Sequence, residues 1–165
     1  MTVDLTQENL DIYGHADIAW SVPLRQLEAG EAQRFWLATT GPGGCPHLTG
    51  LGARWLDGRL YFVSGAQTAK SRNLVRCPAC AISAELPDLD LTLKGRAERV
   101  TDQPTIERLA AHWASTGWPA RAGAGVIEAD YSAPSAGPPP WELWVLSLQS
   151  AVGVGAMGAM RWRFA

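Results

Sequence analysis

The chain has 165 residues, 47% of them apolar and 18% charged, with eight tryptophans and a formal net charge of −2. This length and apolar content suit one domain, residues 1–165, with a sizeable core, and they exclude intrinsic disorder. The near-neutral charge, with basic residues scattered rather than striped, excludes an electrostatic footprint for nucleic acid.

The segment up to His15 is acidic and polar, unlike a signal or transit peptide. No apolar run reaches membrane-spanning length. Three cysteines, an odd number without a secretory signal, point to a reducing compartment. The expected location is cytoplasmic, with no membrane partner.

A short helix is predicted from about Pro23 to Gly30, since proline suits a first turn and glycine a C-terminal cap. Strand formers follow in "RFWLATT", then the turn "GPGG". "HLTGLGARWL" and "RLYFVS" flank Asp57-Gly58, a hairpin turn, giving a three-stranded meander. Next come a helix from Thr68 to about Arg76, the strand "ACAISAE", a turn at Pro87-Asp88 and the long strand "LDLTLKGRAERV". In that strand Leu89, Leu91 and Leu93 alternate with Asp90, Thr92 and Lys94, which predicts one buried and one wetter face. Gly95 interrupts the run as a bulge would.

Asp102 and Pro104 open a further helix with Ile106, Leu109, Ala110 and Trp113 on one apolar face, ended by Gly117 and Pro119. Ser132 to Pro140, "SAPSAGPPP", is a proline-stiffened loop expected to cross the surface. "WELWVLSLQSAVGV" supplies a final strand and "MRWRF" a short strand or arm. Six or seven strands with two or three peripheral helices predict a mainly β (α+β) barrel.

Two short stretches raise chemical questions. "RCPAC" has the C-x-x-C spacing of redox and zinc sites, but Cys77 falls at the end of a helix, where the dipole opposes thiolate. Zinc would need four ligands, and Cys45 and His47 lie far upstream. Cys77 and Cys80 therefore read as packing residues at a helix-to-strand corner. The second stretch is Thr68-Ala69-Lys70-Ser71. A cation in a first helical turn is unfavourable unless something negative balances it. A threonine cap, free amides and an ammonium together suit phosphate. By itself the tetrapeptide reads first as a surface lysine on an ordinary helix, ahead of an anion site.

From "LATTGPGG" through the D-G hairpin, "TAKSRNL" and "GRAERV", about residues 34 to 101, the order and spacing of the motifs resemble the pyridoxamine 5'-phosphate oxidase-like FMN-binding split-barrel family, which includes flavin- and deazaflavin-dependent oxidoreductases. The best-matching cofactor-binding core would span 32–101. The resemblance implies a six- to seven-stranded split barrel, a homodimer, and a flavin at the interface. Thr49, Gly50, Leu51 and Arg54 would run beside its ring and ribityl groups, Phe62 and Val63 would line the ring, and Thr68 and Lys70 would hold the phosphate. Ala69 stands where many FMN-binding members have arginine, Thr49 where true pyridoxamine phosphate oxidases have arginine, and Asp90 where they have a flavin-contacting glutamine. The implied activity is thus hydride transfer to or from a small organic substrate by FMN, or by a deazaflavin, rather than pyridoxal phosphate synthesis. A non-catalytic flavin or haem binder is a further alternative.

No residue is expected to act as a catalytic nucleophile or base, nor any group to bind metal. His15, His47 and His112 are isolated, although His47 begins the cofactor strand. Trp141, Trp144 and Trp162 read as core ahead of pocket cover. Arg161 and Arg163 could reach an anionic group or pair with carboxylates.

Overall fold

The computed structural model describes residues 5–165. In chain order the elements are β1 (Leu5–Asn9), α1 (Ser21–Glu28), β2 (Phe35–Thr40), β3 (Pro46–Leu51), β4 (Ala53–Leu56), β5 (Arg59–Ser64), α2 (Ala69–Arg76), β6 (Ala79–Glu85), β7 (Asp90–Val100), α3 (Gln103–Ser115), β8 (Arg121–Ala122), β9 (Ile127–Glu128), β10 (Glu142–Gly155) and β11 (Gly158–Phe164). Tight 3-10 turns occupy Pro42–Gly44 and Pro134–Ala136.

Nine strands form one antiparallel sheet in the order β1-β11-β10-β7-β6-β2-β3, with β5 joining β10 and β4 joining β5. The long strand β10 makes the split. Its first half, Leu143 to Leu146, pairs with β7 on one side and with β5 on the other. Its second half, from Ser150, keeps β7 but exchanges β5 for β11. The register with β7 shifts between Leu148 and Ser150, opposite Gly95. A Cβ at Gly95 would lie 2.0 Å from the Ser147 carbonyl oxygen, so only glycine lets the two backbones meet there.

Strand periodicity explains why the inner four residues of β5, "LYFV", are apolar without a break. Leu60 and Phe62 face the barrel interior, packing with Leu37, Ile82, Leu91, Leu93, Trp144 and Trp162. Tyr61 and Val63 face the other way, into a second cluster with Ile106, Leu109 and Trp113 of α3 and with Leu143 and Val145 of β10. α3 is capped by Asp102, whose side chain accepts from the Thr105 amide at 2.9 Å.

The architecture is the expected mainly β split barrel with three helices. It has more strands than six or seven: the two-residue strands β8 and β9 pair only with each other, and two features enlarge the main sheet to nine. "HLTGLGARWL" breaks at Gly52, where the chain leaves its pairing with β2 and joins β5. β1 carries no burial signal in the sequence, because all five of its residues are exposed; it pairs with β11 through backbone and through Glu8, which meets Arg161 and Arg163. The first helix starts at Ser21, two residues ahead of Pro23. Among the described residues no helix is long and apolar enough to cross a membrane, and no group of three His, Cys, Asp or Glu could hold a metal ion.

Candidate functional site

Strand β4 carries Arg54 toward α3, because Trp55 takes the inward position beside it. Strand β5 ends with Val63 on that same outer side, and α2 begins just beyond with Lys70 in its first turn. These elements enclose a cavity of 290 Å³ lined by Leu51, Arg54, Val63 and Lys70, with Trp113, Trp118 and Tyr131 as an aromatic wall. Trp113 and Trp118 meet edge to face at 5.5 Å, and Trp118 lies 5.7 Å from Trp141. A neighbouring groove of 440 Å³ contains Trp36, Gly50 and Leu51. Cavity and groove share Leu51, Gly52, Ala133 and Ser135.

The charges at the cavity are positive and unopposed. Six arginines of the described chain are paired with carboxylates, but neither Arg54 nor Lys70 is among them. The Arg54 Nε is buried without a partner, and its Nη2 reaches only the Thr116 hydroxyl at 3.4 Å. Lys70 is 2% exposed, and burial pushes its ammonium below the usual lysine range. Its Nζ donates to the Ser135 carbonyl. Orphaned or carbonyl-only cations around a partly apolar space suit an anionic ligand with a flat body.

Of the eight residues expected at a cofactor, Leu51, Arg54, Val63 and Lys70 line this cavity and Gly50 lines the adjoining groove. Phe62 requires correction. It is fully buried in the barrel interior, stacked on Trp144 at 6.4 Å, because successive strand residues point to opposite faces and Val63 takes the cavity side. Thr49 is half-buried, its hydroxyl donating to the Gly50 carbonyl at 3.3 Å, and lines neither space. Thr68 caps α2, accepting from the Ser71 amide at 3.3 Å and donating to the Gly65 carbonyl at 2.9 Å. Its hydroxyl also lies 2.7 Å from that of Ser64. That hydroxyl is therefore engaged by its own chain.

Trp113, Trp118, Tyr131 and Ser135 were not singled out as site residues. Trp113 was legible only as part of an apolar helix face, and nothing in "SAPSAGPPP" indicates that it lies against α2. Asp90 is exposed at the start of β7, opposite Glu85, and lines neither space. Trp141, Trp144 and Trp162 are core, and Arg161 and Arg163 both pair with Glu8, at 2.9 and 3.0 Å. Burial pushes the Cys80 thiol up to about 11, which makes it a poor nucleophile.

Fold and site together define a split-barrel protein with a cationic, aromatic-walled cavity beside the start of α2. A family profile described as pyridoxamine 5'-phosphate oxidase matches residues 25–141, most of the chain, and the protein belongs to that family. No curated protein matches it. Solved structures share the fold. A heme binding protein from Mycobacterium smegmatis superposes with a TM-score of 0.63 at 21% identity, covering 90% of this chain and 60% of its own. An FMN binding, pyridoxamine 5'-phosphate oxidase-related protein from Nostoc punctiforme gives 0.59 at 17%, covering 88% and 90%. An F420 reductase gives 0.54 at 21%, covering 77% and 93%.

Proposed function

We propose that the protein is an oxidoreductase that binds FMN in the cavity between β4, β5 and α2 and acts on a small organic substrate. The observation that carries this reading is the convergence of Leu51, Arg54, Val63 and Lys70 on one 290 Å³ space that holds no carboxylate. When bound, such a cofactor supplies hydride chemistry through its ring. Leu51, Val63 and Trp113 would offer an apolar wall that excludes water, and Arg54 would offer positive charge to an electron-rich ring. Lys70 would hold the phosphate through a charge-assisted hydrogen bond.

A deazaflavin cofactor is the second reading, and a specific feature favours it. Arg72 and Arg76, on the next turns of α2, line a separate 300 Å³ pocket with His47 and Cys45. Neither arginine is in an ion pair among the described residues; Arg76 is held by the Thr40 carbonyl and Asn73 Oδ1 at 2.9 Å each. Positive surface beyond Lys70 suits a cofactor whose tail carries negative charge past its first phosphate.

A homodimer belongs to the same proposal. Trp36 is 47% and Leu48 64% exposed on the outer face of β2 and β3, next to the open groove. A second copy laid there would bury both and wall the groove. Titrating the purified protein with FMN and with a deazaflavin, followed by absorbance and fluorescence, tests the whole reading. Saturable FMN binding supports the first form, and deazaflavin binding with FMN ignored supports the second. A haem band with neither cofactor bound would overturn both.

A further inference from the structure

Ser132, Ala133, Ser135 and Ala136 line the cavity beside Lys70, the residue proposed above to hold a phosphate. The turn of this segment, Pro134–Ala136, presents one carbonyl to the first turn of α2 and one just past the end of β5. Ser135 accepts from the Lys70 ammonium, and Ala136 accepts from the Gly65 amide at 2.7 Å. The turn is held closed by its own bonds, Ala136 N to Ala133 O at 2.8 Å and Gly137 N to Pro134 O at 3.2 Å. Indole tethers secure both flanks: Trp118 Nε1 donates to the Tyr131 carbonyl at 2.6 Å, and Trp141 Nε1 to the Gly137 carbonyl at 2.8 Å. Between these tethers the same residues, Ala133 and Ser135, separate the cavity from the open groove.

Resting on the cofactor reading above, we infer that residues 132–136 form a displaceable strap, an internal ligand that occupies the phosphate end of the site and must lift for a phosphate-bearing cofactor to enter. The Ser135 carbonyl occupies the space against the Lys70 ammonium where a phosphate oxygen would stand, and the Gly65 amide has a single proton, already given to Ala136. Cofactor and strap therefore compete, and apparent affinity is the intrinsic affinity reduced by the fraction of molecules with the strap raised. The covering is peptide carbonyl rather than carboxylate, so a phosphate outcompetes it on charge once the strap moves. Lifting it also joins the cavity to the groove, making one longer trough from two short ones.

Two glycines allow the closed position and give the means to test it. Gly137 has φ of 73°, and a Cβ there would lie 2.9 Å from Thr68 Cγ2. Gly65 lies outside the left-handed region, yet a Cβ on it would meet the Ala136 and Pro138 carbonyl oxygens at 3.0 and 3.2 Å. Gly137→Ala thus disfavours closure from the strap side, and Gly65→Ala from the barrel side with no backbone strain.

Hydrogen exchange of peptides spanning 131–138 is measured in the full chain, free and with FMN or a deazaflavin, alongside the dissociation constants. The strap predicts faster exchange of this segment when either cofactor binds. It also predicts faster exchange in both free variants, and binding to Gly137→Ala tighter by roughly fivefold to tenfold as the closed state is lost. Should Gly137→Ala fail to fold, Gly65→Ala still reads the exchange. Cofactor binding that leaves 131–138 equally or better protected, with affinity unchanged in Gly137→Ala, overturns the strap and spares the cofactor reading. If wild type and both variants bind neither cofactor, the cofactor reading falls and takes the strap with it.

Discussion

Lys70 is the residue on which local chemistry and function meet. Its ammonium is buried, is paired with no carboxylate among the described residues and rests on a carbonyl, so in the free protein it is a liability that a bound anion would relieve. Replacing it with alanine should weaken cofactor binding by about tenfold to a hundredfold, equivalent to the ~1.5–3 kcal/mol of a hydrogen bond to a charged group. Cofactor titration measures this, and unchanged affinity would remove Lys70 from the site. The same burial sets a pH dependence in the free protein. Because the folded chain holds the Lys70 proton less tightly than the unfolded chain, whose value is the ordinary 10.5, the unfolded state binds more protons between the lowered value and 10.5. Stability contributed at this position therefore rises with pH across that window. Urea midpoints of wild type should gain on those of Lys70→Met as pH climbs through it, and parallel curves would contradict the assignment. The cysteines behave in the opposite sense. Cys80, raised to about 11, stays a thiol at neutral pH, whereas Cys45 is exposed. Iodoacetamide should label Cys45 well before Cys80, as mass spectrometry of the modified peptides would show.

At the scale of elements, the strands that bury side chains announced themselves and those that do not were silent. β7 alternates Leu91, Leu93 and Ala97 inward against Asp90, Lys94 and Arg96, a pattern legible in the residues alone. β1 carries no such signal because all its side chains are exposed, and the break between β3 and β4 is marked only by Gly52. Phe62 and Val63 were both expected at the ring, yet a strand can offer only one of two neighbours to a given face. In the sequence Gly95 signals a bulge in β7. The extra residue belongs to β10 instead, and Gly95 is the close approach that accommodates it. Gly95→Ala should therefore cost about 1–3 kcal/mol through overpacking against the Ser147 backbone, measurable by denaturant titration. The cap of α3 gives a different signature. Hydrogen bonds from Thr105 hold the Asp102 carboxyl below its usual range. A depressed acid stabilises above its unfolded value and loses that contribution as pH falls through its folded one. Asp102→Asn keeps a capping oxygen without the charge, so its melting temperature should drop less than that of wild type between neutral pH and pH values near 3.

For the molecule as a whole, the homodimer proposed above makes a specific demand on the outer face of β2 and β3. Buried apolar side chains are gathered in two clusters, one inside the barrel and one beneath α3. Trp36 and Leu48 belong to neither, and they stand on the same outer face because Trp36 pairs with Gly50 and Ala38 with Leu48 in the β2–β3 register. Small residues continue that face, since Trp36 lies opposite Ser83 and Ala38 opposite Ala81 on β6. A large indole and a leucine amid small neighbours make a surface on which a second sheet could pack closely, and β3 terminates the strand order there as an uncovered edge. The groove that holds Gly50 and Leu51 opens beside this patch, so a partner seated on it would also close the trough proposed for the cofactor. Assembly and cofactor binding should then be coupled. Leu48→Arg, which places a charge at the exposed position without disturbing the core, should shift the protein to a monomer in sedimentation. It should also weaken cofactor binding while leaving the melting temperature of the monomer largely intact. A wild-type chain that sediments as a monomer, with cofactor bound at full affinity, would show that one barrel completes the site alone.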